Sequence, residues 1–190
     1  MRLRVALVAL MPVILLAGTR IARAEDLVDN PQYASWAKLK PGSSITLTTD
    51  TAAMGQQVKT EMVQKLSELT PDQAVIEVVM SVEAMGTKQA RPPQKVSIKA
   101  KVPKDQADRT RLPEGMKGES KELPDETVDA MGKSYTCKVT EFSGVISGMN
   151  AKGKIWRNDD VPGQVVKSQV TTEGAMASTS TTTLSAMDVK

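Results

Sequence analysis

The chain has 190 residues, a length typical of one domain, and its 25 Lys and Arg residues against 22 Asp and Glu give a formal charge of +3. A charge this small argues against a dedicated nucleic-acid binder, whose basic excess is larger and lies on one face. The chain has no histidine, which excludes Ser-His-Asp and Cys-His nucleophile systems, His-ligated metals and an imidazole pH switch. We therefore expect no enzyme, no cofactor, no metal site and no catalytic residue.

The first 24 residues have the pattern of an export signal. Arg2 and Arg4 precede an uncharged apolar run, and small residues occupy Ala24 and the position two residues before it, which a signal peptidase reads. The apolar run is shorter than the roughly 20 residues of a membrane anchor. We predict cleavage after Ala24, a periplasmic or secreted location, and a single β-rich domain over residues 25–190 with no transmembrane span.

Removal of this segment changes the charge balance of the protein. The segment carries four arginines and no acidic residue, so the mature chain has 21 basic and 22 acidic residues and a net charge of −1. The electrostatic case for a nucleic-acid or anionic-membrane partner disappears with it. We expect no nucleic-acid partner, and the sequence leaves the oligomeric state open.

A short helix is predicted near the start of the mature chain. Asn30 suits an N-cap and Pro31 suits the first helical turn, while Pro41 marks the end of the segment. Tyr33 and Trp36 follow on one side of this helix and are two of the five aromatic residues in the chain. Their position indicates a helix that is pinned onto a sheet.

Alternation of apolar and polar residues predicts about seven to nine antiparallel strands along the rest of the chain. In the clearest stretch, Ala74–Ala84, every second residue is apolar, as in a strand with one buried face. Val58–Leu69 also fits a helical stripe, but turn residues on both sides favour a strand. Further strands are predicted at 44–49, 94–102, 133–142, 154–157, 164–172 and 179–189.

Several short motifs are best interpreted as turns. Three Ala-Met-Gly triplets, at 53–55, 84–86 and 130–132, separate predicted strands, and glycine tolerates the positive φ of tight hairpins. The segment Asn158–Asp160 offers oxygen ligands for calcium, but it lacks the spacing of an EF-hand loop. Since Pro162 and a glycine follow it, a turn is the simpler interpretation.

The single cysteine, Cys137, excludes an intramolecular disulfide. It alternates with Tyr135 and Val139, which predicts that its side chain points into the core. A reactive thiol would instead need cationic and exposed surroundings.

Residues 103–123 break the alternation. This segment is charged, contains Pro113, and shows no clear period, so we predict a long exposed crossover loop or flap. The carboxylates that follow, Asp125, Glu126 and Asp129, are close in sequence, but closeness in sequence does not establish the facing geometry of an acid–base pair.

The final third of the chain resembles a known group of exported proteins. The resemblance rests on the passages 132–139, 154–163 and 165–167 and on the strand that closes at 181–184. Trp156, an acidic turn, Pro-Gly and Val-Val-Lys in this order are similar to exported bacterial proteins that resemble periplasmic lipoprotein carriers of the LolA/LolB type. The resemblance implies a curved antiparallel half-barrel. It transfers no binding residue, and the helical lid elements of those carriers are not evident.

We therefore predict a mainly all-β fold, a curved antiparallel sheet or open half-barrel with a short N-terminal helix, and a sandwich as the alternative. The first functional hypothesis is a non-enzymatic envelope protein that binds an apolar ligand, a lipid or a lipoprotein. The second is a structural or protein-interaction module of the envelope that has no small-molecule ligand. The thioethers of Met62 and Met80 suit an apolar cavity, although they equally suit the core. The candidate lining residues are Met62, Met80, Val78, Ile98, Tyr135 and Trp156.

Overall fold

The computed structural model describes residues 26–109, 112–113, 115–174 and 177–190. The predicted signal peptide, residues 1–24, lies outside this part of the chain, and cleavage near Ala24 therefore stays a prediction. The elements in chain order are β1 (Leu27–Asp29), α1 (Pro31–Trp36), β2 (Ser44–Ala53), β3 (Gln56–Leu69), β4 (Gln73–Ala84), β5 (Thr87–Ala90), β6 (Gln94–Lys99), β7 (Lys101–Pro103), α2 (Lys104–Arg109), β8 (Lys117–Ala130), β9 (Lys133–Ile146), β10 (Met149–Arg157), β11 (Val165–Glu173) and β12 (Ser178–Asp188).

Ten strands form one antiparallel sheet that is not closed into a barrel. Their order is β5-β4-β3-β2-β12-β11-β10-β9-β8, with β6 paired to the other end of β4. Cα atoms of β8 approach those of β11 and β12 to within 8 Å. In a flat sheet, three interstrand spacings would separate β8 from β11 by about 14 Å. The sheet is therefore strongly curved, which confirms the predicted open curved sheet and not the sandwich.

Helix α1 forms where the sequence predicts it and packs on the sheet. The Asn30 side chain accepts a hydrogen bond from the backbone N–H of Gln32 at 3.0 Å, and Pro31 occupies the first turn. The side-chain nitrogen Nδ2 of Asn30 also donates to the backbone carbonyl of Lys99 at 2.9 Å, which links the start of the helix to the edge strand β6. Trp36 is fully buried in the core, as expected for an anchoring aromatic.

The predicted hairpin tips are confirmed. Met54, Met85 and Met131 have φ values of 51°, 51° and 53°, and each is followed by a glycine that also has positive φ, as type I′ turns require. A fourth turn of this kind, at Ser147 and Gly148, connects β9 to β10 and was not predicted because it lacks the Ala-Met-Gly triplet that marks the other three.

The loop predicted over residues 103–123 is much shorter in the structure. Helix α2 occupies Lys104–Arg109, and β8 begins at Lys117. The prediction was wrong for β8 because this strand lies at the sheet edge and is exposed along most of its length, so apolar residues do not alternate in it. Its charged side chains and Pro124 are typical of an edge strand that must not pair with other chains.

The strand predicted over residues 94–102 is divided at Ala100. The backbone N–H of Ala100 donates to Asp72, and its carbonyl accepts from Asn30. Beyond this point β7 leaves the large sheet and pairs with β1. The apolar residues alternate in sequence across Ala100 without interruption, so the sequence does not reveal the break. After the break Val102 is buried, whereas Val96, before it and at the edge of the large sheet, is 47% exposed.

The core lies on one side of β2, β3 and β4, but it changes sides in β9 and β10. On β9, Val139 is buried, and so are Thr140 and Phe142. Neighbouring residues of a strand point to opposite sides, so the buried side changes between Val139 and Thr140. Ile155 and Trp156 of β10, their direct partners, are both buried and change sides at the same rung. Each of these strands therefore contributes to the core from both of its sides.

Candidate functional site

One side of β3 and β4 carries a row of apolar side chains that are half-buried. Met62 of β3 pairs directly with Met80 of β4, and directly paired residues lie on the same side of a sheet. Val58, Val78 and Val82 lie on this side too, because each stands an even number of residues from one of the methionines on its strand. We call the surface formed by these five residues the methionine face.

The methionine face continues into the buried core at its α1 end. Leu66 and Ile76, the pair that lies four residues further along β3 and β4, are 0% and 2% exposed. Ile45 of β2 lies on the same side and is also buried, and Trp36 of α1 belongs to the same cluster. The same side of the sheet is therefore sealed at one end and partly open further along.

Polar atoms mark the boundary between the sealed and the open part. Gln64 pairs with Val78 and donates its amide N–H to the sulfur of Met62 at 3.3 Å, a weak acceptor. The indole Nε1 of Trp36 is buried and has no hydrogen-bond partner among the described residues. Both groups lie near Gly163, in the turn between β10 and β11.

The turn at Gly163 leaves a small space beside these two groups. A Cβ atom placed on Gly163 would lie 3.4 Å from Oε1 of Gln64, 3.7 Å from Cδ1 of Ile45 and 3.9 Å from Nε1 of Trp36. These are ordinary contact distances, so the neighbours leave room for a methyl group bonded to Gly163 and for no separate atom, and the Gln64 atom that faces this position is the acceptor Oε1. The turn is held against α1 by a hydrogen bond of 2.9 Å from the Gly163 N–H to the Ser35 hydroxyl.

The predicted lining residues fall into two groups. Met62, Val78 and Met80 are neighbours on the methionine face, and Ile98 lies on the same side because it pairs with Ala74. Counted strand by strand, the register across β2, β12, β11 and β10 turns the other two predicted residues to the opposite side, but they join or contact the same buried cluster that Met62, Val78 and Ile98 contact. These two are Tyr135 and Trp156.

Trp156 takes part in a polar network instead of an open surface. Its Nε1 donates to a carboxylate oxygen of Glu126 at 2.7 Å, and the Nζ of Lys154 lies 3.9 Å from the other oxygen. The Nζ of Lys167 lies 5.2 Å from the centroid of the Trp156 ring, within the range of a cation–π contact. Glu126 therefore serves as the acceptor that satisfies the buried Trp156 N–H.

Two surface clefts lie elsewhere, and the six predicted lining residues contribute to neither. The first, of about 370 Å³, lies over Phe142 and Gly153 and has both Lys and Glu side chains on its walls. The second, of about 420 Å³, lies near Pro31 and is lined by Lys138 and Asp159, which form an ion pair of 3.1 Å. Both contain charges of each sign, so neither attracts a ligand of one particular charge.

Cys137 is fully buried, which confirms the predicted core position. Burial, and to a smaller extent the charge of Asp125, raises the pKa of its thiol, so it stays protonated near neutral pH.

The turn predicted at Asn158–Asp160 is confirmed. The side-chain oxygen of Asn158 accepts from the backbone N–H of Asp160 at 2.9 Å, the geometry of an Asx turn. Asp159 accepts from the amide nitrogen of Gln164 at 2.8 Å. Among the residues whose positions are described, no three Cys, Asp or Glu side chains come together to hold a metal ion. Within the same residues, no helix has the length and apolar character to cross a membrane.

No protein-family model matches the sequence, and no curated protein matches it significantly. Among solved structures, the chain is similar to an exported protein with a YmcC-like fold from Bacteroides fragilis, with 10% identity, a TM-score of 0.48, and coverage of 79% of this chain and 97% of that one. It is also similar to a LolA superfamily protein from Nitrosomonas europaea, with 10% identity, a TM-score of 0.22, and coverage of 86% and 94%. Both likenesses are weak, with identities of 10% and TM-scores below 0.5.

Sequence patterns alone do not single out Gln64, Glu126 or the Trp36 N–H. Gln64 stands among apolar positions of β3, and a polar residue on the buried side of a strand was the available signal. The role of Glu126 depends on two pairings that the sequence does not specify, that of β8 with β9 and that of β9 with β10.

Proposed function

We propose that the mature chain is an exported, non-enzymatic binding protein that holds an apolar chain, such as the acyl chain of a lipid or lipoprotein, on the methionine face. The observation that carries this proposal is the partial exposure of the paired Met62 and Met80 on a surface continuous with the buried core. Apolar side chains left partly open to water in a contiguous group are typical of binding surfaces. The thioethers of Met62 and Met80 are flexible and adapt to chains of irregular shape.

The polar side of the same strands supports the choice of this face. Glu61, Lys65, Glu77 and Glu83 alternate with the apolar residues of β3 and β4 and therefore lie on the opposite side. That side also carries the valine pair Val63 and Val79, but an apolar ligand lying there would cover the four charged groups around it without replacing their hydration. Ile98 lies on the same side of the sheet as the methionine face, beside Ala74 at the sealed end, where it packs against the buried core.

The test compares two substitutions on adjacent residues of one strand. Met80→Glu places a charge on the methionine face, and Val79→Glu places it on the other side at a residue that is also half-buried. We expect Met80→Glu to weaken binding of laurate by at least about tenfold, because an apolar chain would cover an unpaired carboxylate. Val79→Glu should bind laurate like the unsubstituted chain, with both variants checked for folding by circular dichroism.

Three outcomes would contradict the proposal. These are unchanged laurate binding by Met80→Glu, an equal loss in both variants, and no binding by the unsubstituted chain. Native mass spectrometry of mature protein from its own host gives an independent readout. Co-purified lipid supports the proposal, whereas protein that is repeatedly free of ligand favours a structural or protein-interaction module of the envelope.

A further inference from the structure

Two methionines project into water at one end of the sheet. Met54, in the turn between β2 and β3, is 80% exposed, and Met85, in the turn between β4 and β5, is 82% exposed. β2 and β4 run in the same direction, because each is antiparallel to β3. Both turns therefore lie at the same end of the sheet, two strand spacings or about 10 Å apart. We call this pair the methionine tips.

The methionine tips lie at the end of the sheet away from α1. Tyr33 of α1 donates a hydrogen bond to the carbonyl of Thr70, in the turn between β3 and β4 at the other end. The methionine face is sealed at that other end and opens toward the tips. Val58 is the residue of the face nearest to the tips, and it pairs with Ala84, which precedes Met85.

The backbone at the tips does not require methionine. Met54 and Met85 both have a φ of 51°, a conformation that Asn, Asp and Gly adopt more readily than other residues. Strands alternate in direction across the sheet, so the turn after β9 lies at the same end, and there Ser147 has the same φ. Met131 has a similar φ at the opposite end, but its side chain packs against the buried core. Core packing accounts for Met131 and does not account for the exposed tips.

The end of the sheet around the tips carries no charged residue in β2 to β5. The nearest charges form one row across these four strands, in which each residue pairs directly with the next. The row consists of Asp50, Lys59, Glu83 and Lys88, so its signs alternate and its net charge is zero. Beyond the row, residues 51–58 and 84–87 are all uncharged. A charged partner gains no attraction here, and an uncharged one covers no charge that it would have to desolvate.

The size and shape of the tips suit a lipid surface better than a protein partner. Two methionine side chains bury roughly 120–240 Å² of apolar surface, whereas a standard protein interface buries about 800 Å² on each partner. A Cβ atom placed on Gly55 or Gly86, the residues after the tips, would have no described atom within 4 Å apart from those of its chain neighbours. Both turns therefore stand clear of the surrounding chain. Separate projecting side chains fit between lipid headgroups, while a protein interface needs a continuous surface.

We propose that the methionine tips attach the mature protein to the surface of a lipid bilayer by inserting their thioether side chains among zwitterionic headgroups. The attachment is weak and reversible, because two methionines bury less apolar surface than a single myristoyl chain, whose membrane binding is already marginal. This inference goes beyond the proposed function, since it needs no ligand on the methionine face. A protein attached in this way holds the open end of the methionine face against the lipid.

Flotation with vesicles of phosphatidylcholine, a zwitterionic lipid, tests the proposal. The mature chain is used, because the apolar run at residues 5–18 of the export signal would itself bind lipid. The test variant combines Met54→Asn with Met85→Asn. Asparagine suits the positive φ of both turns, so the fold should be kept while both thioethers are removed. Ser147→Asn is the matched control, in the same kind of turn at the same end but without a thioether to lose.

We expect the unsubstituted chain to float with the vesicles at high lipid concentration. Each single Met→Asn substitution should lower the partition coefficient about tenfold, and the double variant about a hundredfold. Ser147→Asn should bind like the unsubstituted chain. High salt, or addition of anionic phosphatidylglycerol, should change binding by less than about twofold, because no charge attraction contributes. Circular dichroism checks that all variants fold.

Several results would overturn the proposal. They are no flotation of the unsubstituted chain, equal flotation of the double variant, and loss of binding in high salt. If ultracentrifugation shows dimers of the unsubstituted chain and monomers of the double variant, the tips contact a second copy and not lipid. Laurate binding tests the proposed function separately. The double variant should bind laurate like the unsubstituted chain, so either proposal can fail without the other.

Discussion

The two tryptophans occupy contrasting surroundings in one molecule. Trp156 is 6% exposed. Its N–H donates to Glu126, and the ammonium group of Lys167 lies over the face of its ring. Trp36 is 0% exposed and packs among apolar side chains, with its N–H unpaired within the described chain. Burial alone therefore does not distinguish a structural tryptophan from one with an unused polar group. The two are distinguished by whether the indole N–H has a hydrogen-bond partner.

The strands around the two tryptophans also differ in how they are buried. β3 and β4 bury one side only and leave the methionine face half-open, whereas β9 and β10 bury residues on both sides. A strand buried on both sides is held in place by two layers, and its polar atoms must find partners inside the protein. We accordingly expect the β8–β10 region to serve stability and the β2–β4 region to serve binding.

The largest expected effect is that of Trp36→Ala. Removing this fully buried ring leaves a cavity between α1 and the sheet, which should lower the free energy of unfolding by about 3–5 kcal/mol. Lys40→Ala, at an exposed position just after α1, is the matched control and should change it little. Urea denaturation of the mature chain measures both. Equal effects of the two substitutions would show that α1 is not anchored by Trp36.

Glu126→Ala should have an intermediate effect. It removes the acceptor of the Trp156 N–H and leaves that donor unpaired, at an expected cost of about 1–2 kcal/mol. Glu126→Gln keeps an acceptor oxygen and should lose less, since it removes only the charge. Urea denaturation gives the energies, and the indole N–H signal of Trp156 should move in the Ala variant. If Gln and Ala destabilise the protein equally, the charge of Glu126 matters and the hydrogen bond does not.

The smallest expected effect is a loss of stability at alkaline pH through Cys137. Burial raises the pKa of this thiol in the folded state, so the unfolded chain releases the proton first as pH increases. The stability from the protonated buried thiol is complete below the ordinary thiol pKa of about 8.5 and is lost as pH rises through the higher folded value.

Denaturation at several pH values above neutrality checks this prediction. The unsubstituted chain should lose free energy of unfolding more steeply with pH than Cys137→Ala, which has no thiol to ionise. Parallel pH profiles would mean that the thiol has the same pKa in both states. Fast labelling of the folded protein by a thiol reagent would lead to the same conclusion, because only the thiolate reacts.

How far the sequence predicts the fold depends on where each strand lies. The alternation in Ala74–Ala84 identified β4 and its buried side, since a strand with one polar side must alternate. The same rule failed for β8, because both sides of this edge strand are exposed and the charges on it follow no period. In β9 the buried side changes between Val139 and Thr140, a pattern that no single period describes.

The residues of the candidate site were likewise predicted only in part. Met62 and Met80 were predicted because thioethers suit an apolar cavity, and the register brings them together with Val78, another predicted lining residue. Tyr135 and Trp156 were predicted with them; the strand register turns them to the other side of their strands, yet they join or contact the same buried cluster. The side on which a residue lies depends on pairings across four further strands, each of which transmits the register of the one before.

By itself, the sequence of this protein determined the β-rich fold, the capped helix α1, the type I′ turns and the buried cysteine. Each of these depends on interactions between residues close in the chain or on the two-residue period of a strand. Only the tertiary structure decided the open curvature of the sheet, the change of buried side in β9 and β10, and the contrast between Trp36 and Trp156. These depend on contacts between different strands and helices, such as the hydrogen bond between Glu126 and Trp156, 30 positions apart, which local sequence patterns do not record.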